Sequence, residues 1–311
     1  MIDELPDPRR LASSPAPEAA LSRLAACPVH RLPDGSYVVS RPADVTAALE
    51  DPRVEVTALE PDPRIATLQA SMARFVDGAP HRRVRALTED RLAALDLASL
   101  RWSVTALVEA HVAGASVADV LPLARRFPAL ALAGALGIDG PARAVEAVDL
   151  LVRRLAPMPI DHPRPPADAV VDALEACFGP LDAGAVDIAI LFQAVDATAA
   201  LIAHRLSGDS ASPIHTTTRT TRAPSVIGGT ELPAGARLVV ALAAAAGDDP
   251  DLWFGHGRHA CPGSDVACAL ADGFCDGLDG AGFSLDGSDA PTSWEPRPNL
   301  RLPSSLVLRR R

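Results

Sequence analysis

Apolar residues recur at helical spacing from residue 87 to residue 206, and runs of β-branched residues are scarce there. This pattern predicts helices over almost the whole stretch. Residues 185–206 are apolar nearly all round and end just before Gly208. A helix without a polar face must be buried, so we expect this segment to form a long central helix in the core.

Shorter segments on either side of this helical region have the pattern of β-structure. Residues 30–40 hold an Asp-Gly pair before a β-branched run, which predicts a small hairpin, and residues 43–49 predict a helix. Residues 216–221 are rich in threonine and predict a strand, while residues 232–241 predict a turn and then a strand. We therefore expect a fold that is mainly α with small β-sheets.

Length and composition favour a globular chain with a large core. The 311 residues are 48% hydrophobic, and no shift in composition marks a boundary, so we predict a single domain over residues 1–311. The first residues lack the basic and apolar regions of a signal peptide. No run of about 18 uncharged apolar residues is present either. These features predict a cytoplasmic protein without a membrane partner.

Charge and cysteine content narrow the choice of partners. The net charge of -10 argues against nucleic acid. All 29 basic residues are arginine, which indicates the coding bias of a GC-rich bacterium. Five cysteines, an odd number at irregular spacing, suit a reducing compartment better than a disulfide framework. We expect a monomer that acts on a small molecule.

The ten residues from 254 to 263, Phe-Gly-His-Gly-Arg-His-Ala-Cys-Pro-Gly, concentrate candidate chemistry around one cysteine. A thiolate is favoured at a helix N-terminus, and Pro262 is suited to a first helical position. Gly255 lets backbone approach a flat, bulky ligand, and His259 can donate to a carboxylate on the rim of that ligand. Cys261 is therefore the predicted axial metal ligand. The alternative is a glycine-rich turn around a buried cysteine.

This stretch matches at every defined position the cysteine-loop signature of the cytochrome P450 family. The resemblance covers essentially the whole chain. It implies a P450-like fold that contains heme b, with the Cys261 thiolate on the iron and with Phe254 and Gly255 among the cofactor contacts.

Other segments resemble the propionate-binding residues of the same family. His81 and Arg85 are spaced i,i+4 and share one helix face, and the resemblance implies that they bind one heme propionate. A basic exposed helix is the alternative. Arg219 matches the arginine that binds the second propionate, with His259 as a further rim donor. The central helix resembles the one that crosses the heme on the oxygen side, with Ala194 as a cofactor contact.

The chain is short for this family, and the shortfall lies between the central helix and the cysteine loop. The family has a Glu-x-x-Arg helix between the positions matching 204 and 212, and a long meander between those matching 245 and 254. The first segment is missing here, and only residues 247–253 stand in place of the second. Replacing an entire ion-pair network can be nearly neutral, whereas removing one partner is costly. We expect Leu252 and Trp253 to replace the network with apolar contacts.

The central helix also departs from the family. The oxygen-activating pattern is Ala/Gly-Gly-x-acid-Thr, whereas residues 194–198 read Ala-Val-Asp-Ala-Thr. Asp196 lies one residue early, about 100° around the helix from the usual acid. Val195 is expected to narrow the groove above the iron. Thr198 and Asp196 are the catalytic candidates, Thr198 to position a water. The alternatives are a threonine that bonds to its own helix and a solvent-facing carboxylate.

Three functions are consistent with this pattern. The first is a heme-thiolate oxidase that hydroxylates or otherwise oxidises a small organic molecule in bacterial biosynthesis. Its electrons would come from a ferredoxin or ferredoxin reductase that docks near Arg82, Arg83 and Arg258, although a solvated basic face explains these residues equally well. The second is a heme-thiolate catalyst of peroxide-dependent oxidation, rearrangement or dehydration. The third is a non-catalytic P450-like partner protein.

Overall fold

The computed structural model describes residues 5–56, 60, 62–156, 163–247, 249–285 and 291–311. The described chain is mainly α-helical with small β-sheets, as predicted. Its α-helices are α1 (Pro8–Leu11), α2 (Glu18–Ala26), α3 (Pro42–Glu50), α4 (Pro63–Ala70), α5 (Gly78–Ala93), α6 (Leu97–Val112), α7 (Leu121–Ala135), α8 (Pro141–Leu155), α9 (Ala167–Phe178), α10 (Leu181–Ser207), α11 (Leu242–Ala246) and α12 (Ser264–Gly280). Its strands are β1 (His30–Arg31), β2 (Tyr37–Val39), β3 (Val54–Val56), β4 (Val117–Asp119), β5 (Thr217–Thr221), β6 (Ser225–Ile227), β7 (Thr230–Leu232), β8 (Arg237–Val240), β9 (Phe283–Ser284) and β10 (Val307–Arg310).

The chain divides into two compact units, and the first comprises residues 1–58, 209–261 and 293–302. This first unit contains a five-stranded sheet in the order β1-β2-β8-β5-β3. Strands β2 and β8 run parallel, and the other neighbours are antiparallel. The β6–β7 hairpin lies in the same unit. The prediction of a single domain stays a prediction.

Local sequence accounts for the elements of the first unit. The predicted hairpin is confirmed as β1 and β2, and its turn residue Gly35 has φ +84°. The Asp34 carboxylate accepts hydrogen bonds from the backbone and the hydroxyl of Ser36. The helix predicted over residues 43–49 is α3, and the strands predicted around residues 216–221 and 232–241 are β5 and β8. The residues within each segment were therefore sufficient to predict these elements of the first unit.

The shortened region is built as the sequence predicted. Residues 208–216, all of which the structure describes, contain no helix between α10 and β5. After β8 the chain forms α11 and then the short 3-10 helix Pro250–Phe254. Leu252 is buried in a core cluster with Leu49, Val54 and Leu238, and Trp253 packs against that cluster. Apolar contacts therefore occupy this part of the first unit, as expected.

A buried ion pair in the first unit was not expected from the sequence. Asp209 follows α10 along the chain, and its carboxylate lies 2.6 Å from Nε of Arg301. The two side chains are only 10% and 3% exposed. The Arg301 guanidinium also lies 3.6 Å from the centroid of the Trp294 ring and donates to the carbonyls of Ala12 and Ser14. Ionic contacts thus stabilise the first unit next to the shortened segment.

The second unit, residues 59–208, 262–292 and 303–311, is organised around α10. This helix packs against α7, α8, α9 and α12 and ends at Gly208, which has φ +62°. Among the described residues it is the one helix long and apolar enough to span a membrane, but 67% of its apolar window is buried inside the protein. Its length and burial match the core helix predicted over residues 185–206. The predicted cytoplasmic location stays a prediction.

Two glycines set the distance between α6 and α12 in the second unit. A Cβ atom at Gly277 would lie 2.8 Å from the carbonyl oxygen of Thr105. Gly273 faces the backbone of Arg101, and its carbonyl accepts a hydrogen bond from the Thr105 hydroxyl at 2.9 Å. Close backbone approach of this kind excludes a side chain. The two glycines therefore hold α12 directly against α6.

Candidate functional site

The cysteine loop of the first unit folds back on itself. The 3-10 helix Pro250–Phe254 ends at Gly255, which has φ +77°. The backbone N–H of Cys261 then donates to the carbonyl of Phe254 at 2.7 Å. The Cys261 side chain belongs to an exposed residue, and all five cysteines of the chain lie in described segments without a disulfide. The loop therefore presents one thiol, and it is no buried core cysteine.

The loop is anchored to the end of α3. The Arg258 guanidinium donates to the backbone carbonyl of Asp51 at 3.2 Å and also to that of Val54. His256 Nε2 lies 2.8 Å from a Glu50 carboxylate oxygen. Arginine is favoured at the carbonyls of a helix C-terminus. Arg258, which the sequence suggested as part of a docking surface, thus anchors the loop.

One detail of the predicted loop is wrong. Helix α12 begins at Ser264 with Gly263 as its N-cap, so Pro262 is not its first residue. Cys261 lies two residues before that N-cap along the chain. The pattern located the helix correctly, but the turn made by Pro262 and Gly263 delays its start.

The two predicted rim donors of the first unit have defined supports. Arg219 lies in β5, where its Nη1 donates to the Thr217 hydroxyl and to the Thr218 carbonyl, both at 2.8 Å. His259 lies in the short 3-10 helix Gly257–His259 of the loop. Both residues are partly buried. The loop therefore brings Phe254, Gly255, His259 and Cys261 together, and Arg219 is held on the sheet.

His81 and Arg85 lie on α5 of the second unit, which begins at Gly78 as predicted. His81 is buried, and the Arg85 side chain is 19% exposed. Nε of Arg85 lies 2.5 Å from the Glu89 carboxylate, which the sequence analysis did not anticipate. Arg85 thus has a carboxylate partner on its own helix. The propionate roles of both residues stay predictions.

The middle of α10 has a partly exposed window, which we define as Phe192, Gln193, Ala194 and Ala197. Residues 188–191 and 198–203 on either side are buried. Ala194 and Ala197 are three residues apart and therefore lie on one helix face. Their side chains are small, so this part of the window offers a low surface that a flat group can approach. This placement fits the cofactor contact predicted for Ala194.

The two catalytic candidates of α10 lie outside this window. Nε of Arg125 on α7 donates to the Asp196 carboxylate at 3.0 Å, and the Asp196 side chain is 10% exposed. Thr198 is 1% exposed and Val195 is 3% exposed. Asp196 is therefore not the solvent-facing carboxylate considered as its alternative. The structure brings it to Arg125, and the catalytic roles of Asp196 and Thr198 stay predictions.

Sequence reasoning missed an aromatic cluster beside the window. The Arg74 guanidinium lies 5.0 Å from the centroid of the Phe75 ring and 5.6 Å from that of Phe192. The two rings are 6.3 Å apart and tilted by 40°. The contact joins the segment before α5 to α10, which are distant in sequence. No periodic pattern signals such a pair.

The donor set fits a heme better than a bare metal ion. Within the described ranges no group of three or more histidine, cysteine, aspartate or glutamate side chains is placed to hold a metal. A heme carries its own four nitrogen ligands and needs little more than one ligand atom from the protein, and a cysteine thiolate such as that of Cys261 is one of the side chains that serve. Histidine and arginine are suited to its carboxylates. The exposed Cys261 thiol and the partly buried Arg219 and His259, all of the first unit, agree with these needs.

Comparison with known proteins shows similarity in structure alone. No protein-family model and no curated protein matches the sequence. A structure of P450 RauA complexed with a biosynthetic intermediate of aurachin RE matches with a TM-score of 0.76 and 18% identity, over 99% of each chain. P450BioI in complex with an acyl carrier protein ligated with hexadec-9Z-enoic acid matches with a TM-score of 0.74 and 17% identity, over 95% of this chain and 98% of that chain. The substrate-free cytochrome P450 CYP150A6 of Mycobacterium marinum matches with a TM-score of 0.69 and 18% identity, over 99% of this chain and 98% of that chain.

Proposed function

This chain has the fold of the cytochromes P450, and from that premise we propose that it is a heme-thiolate enzyme that oxidises a small organic molecule in bacterial biosynthetic metabolism. The observation that carries the proposal is the cysteine loop, which presents the Cys261 thiol in the predicted sequence context on this fold. P450 RauA, with its bound biosynthetic intermediate, supports the small-molecule substrate by analogy.

Each predicted residue has a defined task in this proposal. Cys261 would supply the thiolate ligand of the iron, and Phe254 and Gly255 would shape the loop around it. His81, Arg85, Arg219 and His259 would bind the two propionates. Heme b supplies oxidising chemistry when bound, and a thiolate ligand favours cleavage of an O–O bond. Ala194 leaves room for the flat group.

Proton delivery distinguishes the first function from its alternative. A proton donor must lie within hydrogen-bond reach of the reacting oxygen, directly or through one water. Ala197 stands where the family has its acid, and the nearby Asp196 carboxylate is bonded to Arg125. Thr198 can orient a water through its hydroxyl. This arrangement favours a peroxide-dependent reaction, a rearrangement or a dehydration as the second candidate function.

Electron supply is the remaining requirement of the first function. A ferredoxin or a ferredoxin reductase is the proposed donor, with Arg82 and Arg83 as its docking residues because both are exposed on α5. Arg258 is no longer part of that surface, since its guanidinium anchors the loop.

The decisive experiment is the absorption spectrum of the purified, heme-loaded protein, reduced and exposed to carbon monoxide. A red-shifted, thiolate-type band is expected, and Cys261→Ser should abolish it. Cys268→Ser on α12 is the matched control and should keep the band. A protein that binds no heme would overturn both catalytic functions. A comparison of turnover with a ferredoxin system and turnover with hydrogen peroxide then distinguishes the first catalytic function from the second.

A further inference from the structure

The side-chain amide of Gln193 is the polar group of the α10 window to which the proposed function gives no role. Its Nε2 donates to the Ala189 carbonyl at 3.1 Å, one turn back along the helix. A carbonyl oxygen needs a donor, so this contact fixes which end of the amide is the NH2 group. The Oε1 atom is therefore turned away from that carbonyl and is an acceptor of defined orientation.

This Oε1 has no partner in the part of the chain that the structure describes. The bond to Ala189 is the one hydrogen bond that the Gln193 side chain makes with those residues. Gln193 is partly exposed, and Oε1 keeps some of that exposed surface. The residues before and after the window are buried, at 188–191 and 198–203. The acceptor is therefore open to a ligand at a gap in the packing of a core helix.

Gln193 shares its helix face with the small residues of the window. Ala197 lies about 40° from Gln193 around the helix axis, and Ala194 lies about 60° beyond Ala197. Phe192 lies on another side of the helix, about 140° from Ala197. Among Gln193, Ala194 and Ala197 the amide is thus the one polar group beside two methyl groups. A mostly apolar surface with a single placed polar group fixes the orientation of a small ligand.

We propose that Gln193 Oε1 accepts a hydrogen bond from a neutral O–H or N–H group of an otherwise apolar substrate. This inference rests on the proposed function and names its substrate class. An anion such as a carboxylate has no hydrogen to donate, and a charged donor would lack a counter-charge among these side chains. Ala197 lies four residues beyond Gln193, about 6 Å along the axis. A substrate held at Oε1 therefore extends its apolar part along Ala197 and Ala194.

The selectivity comes from the desolvation of Oε1. A substrate that covers this face of α10 excludes water from the acceptor. A donor on the substrate replaces the lost hydrogen bond, whereas a substrate without a donor leaves a covered acceptor unpaired, which is costly. A site that hydrogen-bonds a substrate O–H or N–H group rejects the analogue without that group for the same reason. Gln193 would therefore be a specificity-determining residue.

The test compares indole with benzofuran, two planar probes of nearly the same shape of which only indole has an N–H donor. Equilibrium dialysis of the heme-loaded protein gives the ratio of their two dissociation constants. Gln193→Met keeps the length of the side chain without the amide, and it should shift this ratio about tenfold against indole. Gln193→Glu keeps acceptor oxygens and should shift the ratio less. Arg205→Met, the matched control about three turns further along α10, breaks a pair with Asp272 and should leave the ratio unchanged.

The opposite results would overturn the inference. An unchanged ratio in Gln193→Met would show that the amide does not touch the probe, and an equal shift in Arg205→Met would show that any change in α10 has this effect. Faster heme transfer to apomyoglobin from Gln193→Met would instead make the amide a cofactor contact. The thiolate-type carbon monoxide band is measured separately. A normal band with an unchanged ratio therefore rejects this inference and leaves the proposed function standing.

Discussion

Nε of Arg125 donates a hydrogen bond to the Asp196 carboxylate across 3.0 Å, and this contact joins the central helix α10 to α7. The side chains are 28% and 10% exposed, so the pair is partly shielded from water. A carboxylate held in this way is positioned by its neighbour helix. The contact therefore bears directly on whether Asp196 takes part in chemistry.

We expect Arg125→Gln to lower the free energy of unfolding by about 1–3 kcal/mol, since a mostly buried carboxylate loses its charged partner. Urea unfolding measures the change. The double variant Arg125→Gln/Asp196→Asn should be less destabilised than the sum of the single variants. Asp196→Asn should leave the product formed per reducing equivalent unchanged. A large fall in that ratio would show that Asp196 handles protons.

Removal of the Arg258 anchor is expected to loosen the cysteine loop. Arg258→Gln loses donors to the carbonyls of Asp51 and Val54. Heme transfer to apomyoglobin should therefore be faster than from the wild-type protein. Arg82→Gln is the control, because this exposed residue should affect only the KM for the electron donor. Unchanged heme transfer in Arg258→Gln would contradict an anchoring role.

The buried pair of Arg301 and Asp209 should matter far more than an exposed one. Arg301→Gln leaves the Asp209 carboxylate, 10% exposed, without its charged partner and is expected to cost about 3–5 kcal/mol. Arg153→Gln, which breaks a pair with Asp149 whose side chains are 54% and 45% exposed, should cost below about 1 kcal/mol. Chemical denaturation compares the two. Similar losses would argue against a special role for the buried pair.

His215 makes the free energy of unfolding depend on pH. Burial, assisted by the Arg301 guanidinium, lowers the pKa of this histidine to about 3. Because the folded-state pKa lies below the unfolded value of about 6.5, stability is complete above that pH. It falls as the pH drops from there toward 3, with a slope up to about 1.4 kcal/mol per pH unit. His215→Leu should flatten the unfolding profile in this range, and His111→Gln, at an exposed site, should not.

The contact between α6 and α12 predicts opposite effects at two helical glycines. Gly277→Ala places a Cβ 2.8 Å from the Thr105 carbonyl and from Val108 Cβ, so we expect a loss of about 1–3 kcal/mol. Gly134→Ala on α7 meets no atom within 4 Å and should gain about 0.5–1 kcal/mol from helix propensity. Thermal unfolding measures the change in stability of both variants. Equal shifts at the two sites would show that the helix spacing adapts.

Local pattern was enough for the elements and for the chemistry carried by a continuous segment. The period of residues 185–206 predicted α10, and the Asp-Gly pair predicted the β1–β2 turn, because helix burial and turn formation depend on neighbours in the chain. The Cys261 loop is one short stretch with a defined residue at nearly every position. Its neighbours Phe254, Gly255 and His259 could therefore be named together with it.

Contacts between distant segments were decided by the tertiary structure alone. The sequence placed Asp196 beside Thr198, but packing of α10 on α7 paired its carboxylate with Arg125. The sequence predicted a surface role for Arg258, whereas in the fold its guanidinium donates to the Asp51 carbonyl at the end of α3. Partner choice of this kind depends on which helix faces meet, and a sequence period specifies the face but not its neighbour. The thiol at Cys261 thus follows from the chain itself, whereas the roles of the charges around it follow from the fold.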